Sequence, residues 1–324
     1  MIRLAELFLP GESSRLRLAR QVGVTGAIMK LLPRTAGLPR SEYPALLRQV
    51  QQELGGAGLT FEGVESHPVP AEKIKLGLPG RDEEIENYLA MIRALGSIGV
   101  PLLCYNWMAG LGWYRTRTDV ASRGGALVSE FDWAAAEGEG LTEWGVVPEE
   151  RLWENYRYFL DAVLPEAARA GVRLSLHPDD PPVSPLRGIA RILTSADAFR
   201  RILAMSGSPF HSVTFCQANF RLMGEDIAAL AREWGSRITF VHLRDVRGSR
   251  EVFRETFHDD GPCDLTMMLR VYHEIGFDGP LRPDHAPTLE GEANDRPGYG
   301  MNGKIFALGY IIGALQSAGI PFAR

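Results

Sequence analysis

Eight short runs rich in β-branched and aromatic residues alternate with longer stretches whose apolar residues recur at three and four, and this alternation restricts folding more than any other feature. The runs fall at residues 2–8, 22–29, 60–65, 101–106, 172–177, 212–216, 238–243 and 280–284. Such a run reads as a strand buried on both faces, and the longer spacing reads as an amphipathic helix. Helical stripes run through Ile85, Tyr88, Leu89, Ile92 and Leu95, through Leu152, Tyr156, Phe159, Leu160 and Val163, and through Ile227, Leu230, Ala231 and Trp234. Two more follow: Leu265, Met268, Leu269 and Tyr272 behind a capping Asp264, and Ile305, Leu308, Ile312 and Leu315 behind Asn302-Gly303-Lys304. Gly55, Gly99, Gly171 and Gly276 stand where helices should stop before the next strand. Without a long polar linker, the alternation closes most simply into a (β/α)8 TIM barrel, one catalytic domain over residues 1–324. An open doubly wound sheet would normally carry a glycine-rich first turn, whereas Met29 is followed by Lys-Leu-Leu-Pro.

Three connections exceed what a barrel needs: residues 108–147, 244–263 and 286–303. All follow strands, on the face where barrels of this class hold their sites, and the first reads as a lid-like insertion.

Thirty-five Lys and Arg oppose 40 Asp and Glu, a formal charge of −5 with no concentrated basic run, which argues against a nucleic-acid partner. The longest apolar stretch, 305–315, contains two glycines and is too short to span a membrane. Residues 1–10 place Glu6 among apolar residues and offer no cleavage site, so no secretory signal is expected. Cysteines at 104, 216 and 263 form no closed disulfide set and suit the cytoplasm. The oligomeric state is open; exposed aromatics between residues 107 and 157 offer a surface for a homo-oligomer contact.

Four of the last strands finish in a potential metal ligand: His177, Cys216, His242 and Asp284. Consecutive strand ends converge around a barrel axis, so two imidazoles, a thiolate and a carboxylate meet there as donors for one divalent first-row ion. Taken singly, each has an ordinary structural explanation, but independent packing roles would not place four of them at successive strand ends. Cys104 and Cys263 read as packing residues, and His273 as solvated. His211 merely precedes a strand. His67, after the third strand, and His258, in a long loop, are weaker candidates for the barrel mouth.

Ile74-Lys75-Leu76-Gly77-Leu78-Pro79-Gly80-Arg81-Asp82, Cys104-Tyr105-Asn106-Trp107-Met108, Arg117-Thr118-Asp119, His177-Pro178-Asp179-Asp180-Pro181-Pro182, Phe240-Val241-His242-Leu243-Arg244 and Arg282-Pro283-Asp284-His285 together resemble the mannonate dehydratase family. The resemblance runs from about residue 73 to 315. It implies dehydration of the sugar acid D-mannonate to 2-keto-3-deoxy-D-gluconate by a xylose-isomerase-like barrel, with Mn2+ or Fe2+ held by His177, Cys216, His242 and Asp284. It also implies an acid/base pair in His285 and Tyr299. Residues 5–10 lack the family's Arg-Trp signature, Gln217-Ala218-Asn219-Phe220 replaces a Thr-Gly-Ser turn, and Ala286 stands where Gly is common. Those departures leave the ligands intact and change their surroundings.

A sugar acid also needs polar contacts, for which Asn106, Arg117, Asp119, Asp180 and Arg244 are the candidates, arginine because its planar fork grips both carboxylate oxygens. Asp179 is a candidate to orient a ligand histidine. Two alternatives keep the barrel: a sugar isomerase or epimerase, which the Cys216 thiolate disfavours because such sites rely on carboxylates, and a non-catalytic sugar-acid binding protein, which an intact His285 and Tyr299 disfavour.

Overall fold

The structure is a computed structural model that describes residues 1–323. Eight parallel strands close into a barrel: β1 (Ile2–Phe8), β2 (Gly26–Met29), β3 (Thr60–Glu65), β4 (Leu102–Asn106), β5 (Arg173–His177), β6 (His211–Cys216), β7 (Ile238–Leu243) and β8 (Pro280–Pro283). Closure is made by β8 pairing with β1, Leu281 opposite Leu4, while Phe322–Ala323 adds a short strand beside β1. Ala5, Leu7, Ile28, Leu102, Cys104 and Phe240 fill part of the barrel interior, and the larger apolar core lies between strands and surrounding helices. Helix Glu149–Ala170 shows why the periodic stretches dock there, since Leu152, Tyr156, Phe159, Leu160 and Val163 form one buried stripe.

The sequence-based boundaries shift in a few places. Residue 22 does not begin β2: Val22 caps helix Ser13–Gln21, its amide bonded to Leu18, and β2 starts at Gly26. Gly55 lies inside helix Tyr43–Gly56, and the left-handed turn comes later at Gly58, φ +75°. Gly99, Gly171 and Gly276 do adopt positive φ where expected, and Asp264 does cap its helix by accepting from the Met267 amide. The last helix, Met301–Ser317, starts before Asn302; Gly303 sits in its first turn because a Cβ there would come within 2.0 Å of the Pro287 carbonyl oxygen.

Two of the three long connections fold together. Strands Arg117–Ala121 and Leu127–Asp132 from the first, with Val246–Gly248 and Val252–Glu255 from the second, form a four-stranded antiparallel sheet. Phe253 faces Phe131 in its register, and both join Val183, Leu186 and Leu222 in a separate small core. The third connection is tied to this lid through a bridge between Leu127 and Thr288. The exposed aromatics expected between 107 and 157 are mostly absent from the surface: Trp107, Phe131, Trp153 and Tyr156 are buried, and Trp144 is the exposed one. Among the described residues no helix is long and apolar enough to cross a membrane.

Candidate active site

Strand register brings the four expected ligands together. His177 and Cys216 end β5 and β6, His242 is the penultimate residue of β7, and Asp284 follows β8 directly. Cys216 lies opposite His242, and His242 opposite Arg282. One donor atom from each of the four lies within 4.8 Å of the others. His242 Nδ1 is 3.6 Å and Cys216 Sγ 3.8 Å from Asp284 Oδ2.

Tautomers follow from the neighbours. The Pro178 carbonyl oxygen, 2.7 Å from His177 Nδ1, can only accept, so Nδ1 carries the proton and Nε2 keeps its lone pair. Neither ring nitrogen of buried His242 has a hydrogen-bond partner: Nε2 lies 3.3 Å from Glu65 Oε2 and Nδ1 3.6 Å from Asp284 Oδ2. An orphaned ring nitrogen beside a thiol and a carboxylate fits a divalent ion, with Glu65 orienting the imidazole from behind. Glu65, Cys104 and His242 also cluster, but Arg282 already occupies both Glu65 oxygens at 2.6 and 3.0 Å. The Cys104 thiol is pushed well up in pKa by burial and by Glu65, so this trio is a poor second ion site.

Burial by itself would raise the pKa of Asp284, yet His285, Arg282, His242 and Arg244 outweigh it and hold the carboxyl well below its ordinary value. Arg244 Nε is 2.8 Å and Arg282 Nη2 3.0 Å from its two oxygens. Glu65 is similarly kept ionised, burial being overcome by Arg282 and His242.

A cavity of about 110 Å3 opens on Glu65, His177, His242 and Asp284 and is also lined by Asn106, Trp113, Asp180, His285 and Tyr299. A wider chamber of about 460 Å3 beside it shares Lys30, Ser66, Asn106, Met108 and Trp113. Tyr299 Oη lies 3.2 Å from His285 Nε2, and His285 Nδ1 lies 3.0 Å from Glu255 Oε1. Burial first, then Asp284, pushes the Tyr299 phenol far above its ordinary pKa, so it keeps its proton. Buried Lys304 ion-pairs with Glu6 at 3.2 Å, donates to the Pro283 carbonyl at 2.9 Å and lies 5.1 Å from the Tyr299 ring centroid.

The polar candidates divide. Asn106 lines the cavity while its Oδ1 accepts from the Met108 amide. Asp180 lines it too, gripped by Arg115 at 2.6 and 3.1 Å and by Arg244 at 2.5 Å. Arg244 reaches Glu255 and Asn219 as well, so both of its terminal nitrogens are engaged by protein. Arg117 and Asp119 do not join the site: their side chains are 56% and 69% exposed on the outer lid strand, 3.6 Å from each other. The arginine buried beside the cavity-lining Asp180 is Arg115, two residues earlier, with no exposed side-chain surface. Asp179 accepts from the Leu193 amide and lies 3.9 Å from Arg191, bracing its loop instead of a ligand histidine.

His67 bonds the Asn106 carbonyl and Tyr88, and burial, aided by Lys75, pushes its pKa down to about 3, so it lines the outer chamber as a neutral ring. His258 donates to the Leu243 carbonyl and is structural. His273 is exposed, as expected, and Cys263 accepts from Gln217. Arg115, Trp113, Glu65, Arg282 and Glu255 were not foreseen. Glu65 ends the third run and carried the same strand-end signal as the ligands, whereas Glu255 had only the weak alternation of Val252-Phe253-Arg254-Glu255.

Comparison with known proteins points to one family. The family model for D-mannonate dehydratase (UxuA) matches residues 3–144 and 136–320. Mannonate dehydratase 2 of Halalkalibacterium halodurans is 33% identical over 343 residues, covering 96% of this chain and 97% of that protein. The mannonate dehydratase of Thermotoga petrophila is 35% identical over 332 residues, covering 91% of this chain and 90% of its own. The crystal structure of mannonate dehydratase from Streptococcus suis serotype 2 superposes with a TM-score of 0.88 at 27% identity, covering 99% and 97% of the two chains. D-psicose 3-epimerase from Clostridium cellulolyticum, at 12% identity and a TM-score of 0.61 over 98% of each chain, shares the fold alone.

Proposed function

Because the chain belongs to the mannonate dehydratase family, we propose that it is a hydro-lyase converting D-mannonate, or a closely related aldonate, to 2-keto-3-deoxy-D-gluconate. The observation that carries this reading is that His177, His242 and Asp284, clustered with Cys216 as four candidate donors, line one small cavity together with His285 and Tyr299. His177, Cys216, His242 and Asp284 would hold Mn2+ or Fe2+, although a mixed N, S, O set also suits Co2+ or Zn2+. When bound, the ion supplies positive charge beside the substrate's carboxylate, worth several kcal/mol toward the enediolate-like transition state.

The protein's own groups supply the proton transfers. A proton α to a carboxylate is weakly acidic and needs a base with a free lone pair. Tyr299 keeps its proton and bonds to His285 Nε2, so His285 is the group that can take the C2 proton. The C2–H electron pair becomes the C2=C3 bond, the C3–O bond breaks, and Tyr299 donates the proton with which hydroxide leaves as water. The resulting enol tautomerises to the 2-keto acid. Asn106 and Asp180 would take hydroxyls of the polyol, and Trp113, whose ring centroid is 5.1 Å from that of His285, would keep water from the base. Three free thiols suit a reducing compartment, and we place the enzyme in the cytoplasm.

The test is colorimetric detection of 2-keto-3-deoxy acid from a panel of aldonates after loading with Mn2+. Product from D-mannonate supports the reading. Isomerised sugar, or binding without product, would instead favour the isomerase or binding-protein alternatives.

A further inference from the structure

We propose that Glu255, carried by the sheet over the barrel mouth, is a positioning residue that fixes the tautomer and aim of His285; the inference takes the role of His285 from the dehydratase reading. Glu255 Oε1 lies 3.0 Å from His285 Nδ1, and both side chains are buried. A carboxylate can only accept, so this contact puts the ring proton on Nδ1 and leaves Nε2, the nitrogen 3.2 Å from Tyr299 Oη beside the cavity, as the basic atom.

What keeps Glu255 an acceptor is its setting. Arg115 Nη2 reaches Oε1 at 2.6 Å, and Arg244 Nη1 reaches Oε1 and Oε2 at 2.7 and 2.9 Å. The same two arginines grip Asp180, giving a closed ring of two guanidiniums and two carboxylates with no more than 3% of any side chain exposed. The ring is formally neutral, so it stays dry without an unpaired charge. It joins lid to barrel, since Arg115 and Glu255 come from the long connections, Asp180 lies three residues after β5 and Arg244 directly follows β7. The lid therefore holds the base in place as well as covering the mouth.

Position and charge are separable by substitution. Glu255→Asp keeps both ion pairs' charge but withdraws the carboxylate by one methylene. Glu255→Gln loses the charge yet keeps an oxygen at the Oε1 position, where two guanidinium donors draw it. If Glu255 positions His285, Glu255→Asp lowers kcat by about 10²-fold or more, changes KM by less than about threefold, and raises the isotope effect with C2-deuterated mannonate. Glu255→Gln then retains more activity than Glu255→Asp. A role limited to charge or folding predicts the opposite order and an unchanged isotope effect, and either result overturns the proposal.

A second readout needs no turnover. In the zinc-loaded full chain labelled with 15N-histidine, with His285 assigned by its loss in His285→Asn, wild type should show protonated Nδ1 and unprotonated Nε2, and Glu255→Asp should lose that pattern. The reverse tautomer in wild type, or the same tautomer in both proteins, also overturns it. Failure of wild type to dehydrate any aldonate would fall on the dehydratase reading, because the tautomer is measured without substrate.

Discussion

At the rim of the barrel, His177, Cys216, His242 and Asp284 meet because four successive strands are held in register; above it, Arg115 and Glu255 meet across 140 residues of chain because two long connections form one sheet. The rim inherits its geometry from backbone hydrogen bonds common to every barrel. The lid depends on side chains, four buried charges and a small aromatic core. Rim substitutions should therefore remove chemistry and spare the fold, whereas substitutions in the lid's charge ring should cost stability together with catalysis.

The largest effect belongs to the rim. Cys216 is fully buried and offers the only sulfur donor of the quartet, so Cys216→Ala removes one of the proposed ion ligands while trimming little volume. The variant should fold with an unchanged circular dichroism spectrum, lose stoichiometric metal by elemental analysis, and lose turnover by at least about 10²-fold. Unchanged metal content would dissolve the contrast at its root.

Next comes the charge ring. Arg115→Ala leaves Asp180 and Glu255 with only Arg244 between them in a dry setting. An uncompensated buried charge costs about 3–5 kcal/mol, which urea unfolding of metal-loaded protein should register. A loss below about 1 kcal/mol would mean that water enters the ring and that the lid is as loosely held as an ordinary loop.

The barrel was legible because its code is local. A strand buried on both faces needs an unbroken apolar run, and its last residue points at the axis wherever the chain came from. Glu65 shows that this rule reached further than it was applied, since an acid at the end of β3 now stands behind His242. The lid was not legible for the opposite reason. Its strands are short, with 3 residues in Val246–Gly248 and 4 in Val252–Glu255, and although these two pair locally, the pairing of Val252–Glu255 with Leu127–Asp132 that makes the two hairpins one sheet joins two distant stretches of chain, so no window of sequence contains it. Arg117 illustrates the cost. With an arginine at 115 and another at 117, resemblance favoured the second, but the fold buries the first and leaves the second in solvent.

Between these extremes lies a pH effect confined to the barrel wall. His211 opens β6 fully buried, Nε2 against the Tyr156 hydroxyl at 3.0 Å and Nδ1 unpartnered. Burial, with Arg237 nearby, pushes its pKa down to about 4 from 6.5. The folded state thus holds a neutral ring that the unfolded chain protonates below pH 6.5. Stability should be fully present above 6.5 and fall as the pH drops toward 4, by roughly 3 kcal/mol from this residue. Chemical denaturation between pH 4 and 7 measures the slope, and His211→Asn should flatten it. An equal slope in the variant would assign the acid sensitivity elsewhere, the lid's carboxylates included.

The smallest effect is the sharpest discriminator between the two neighbouring arginines. Arg117 and Asp119 form a 3.6 Å pair on an exposed strand, where solvent screens the attraction and ordering two side chains offsets much of it. Arg117→Ala should shift unfolding free energy by less than about 0.5 kcal/mol and leave kcat/KM within about twofold. The same truncation at Arg115 should alter both strongly, although the two residues stand two apart at the start of the same hairpin and carry the same charge. A large rise in KM from Arg117→Ala would show that the outer strand swings inward when substrate binds, making the lid a moving clamp instead of a fixed brace.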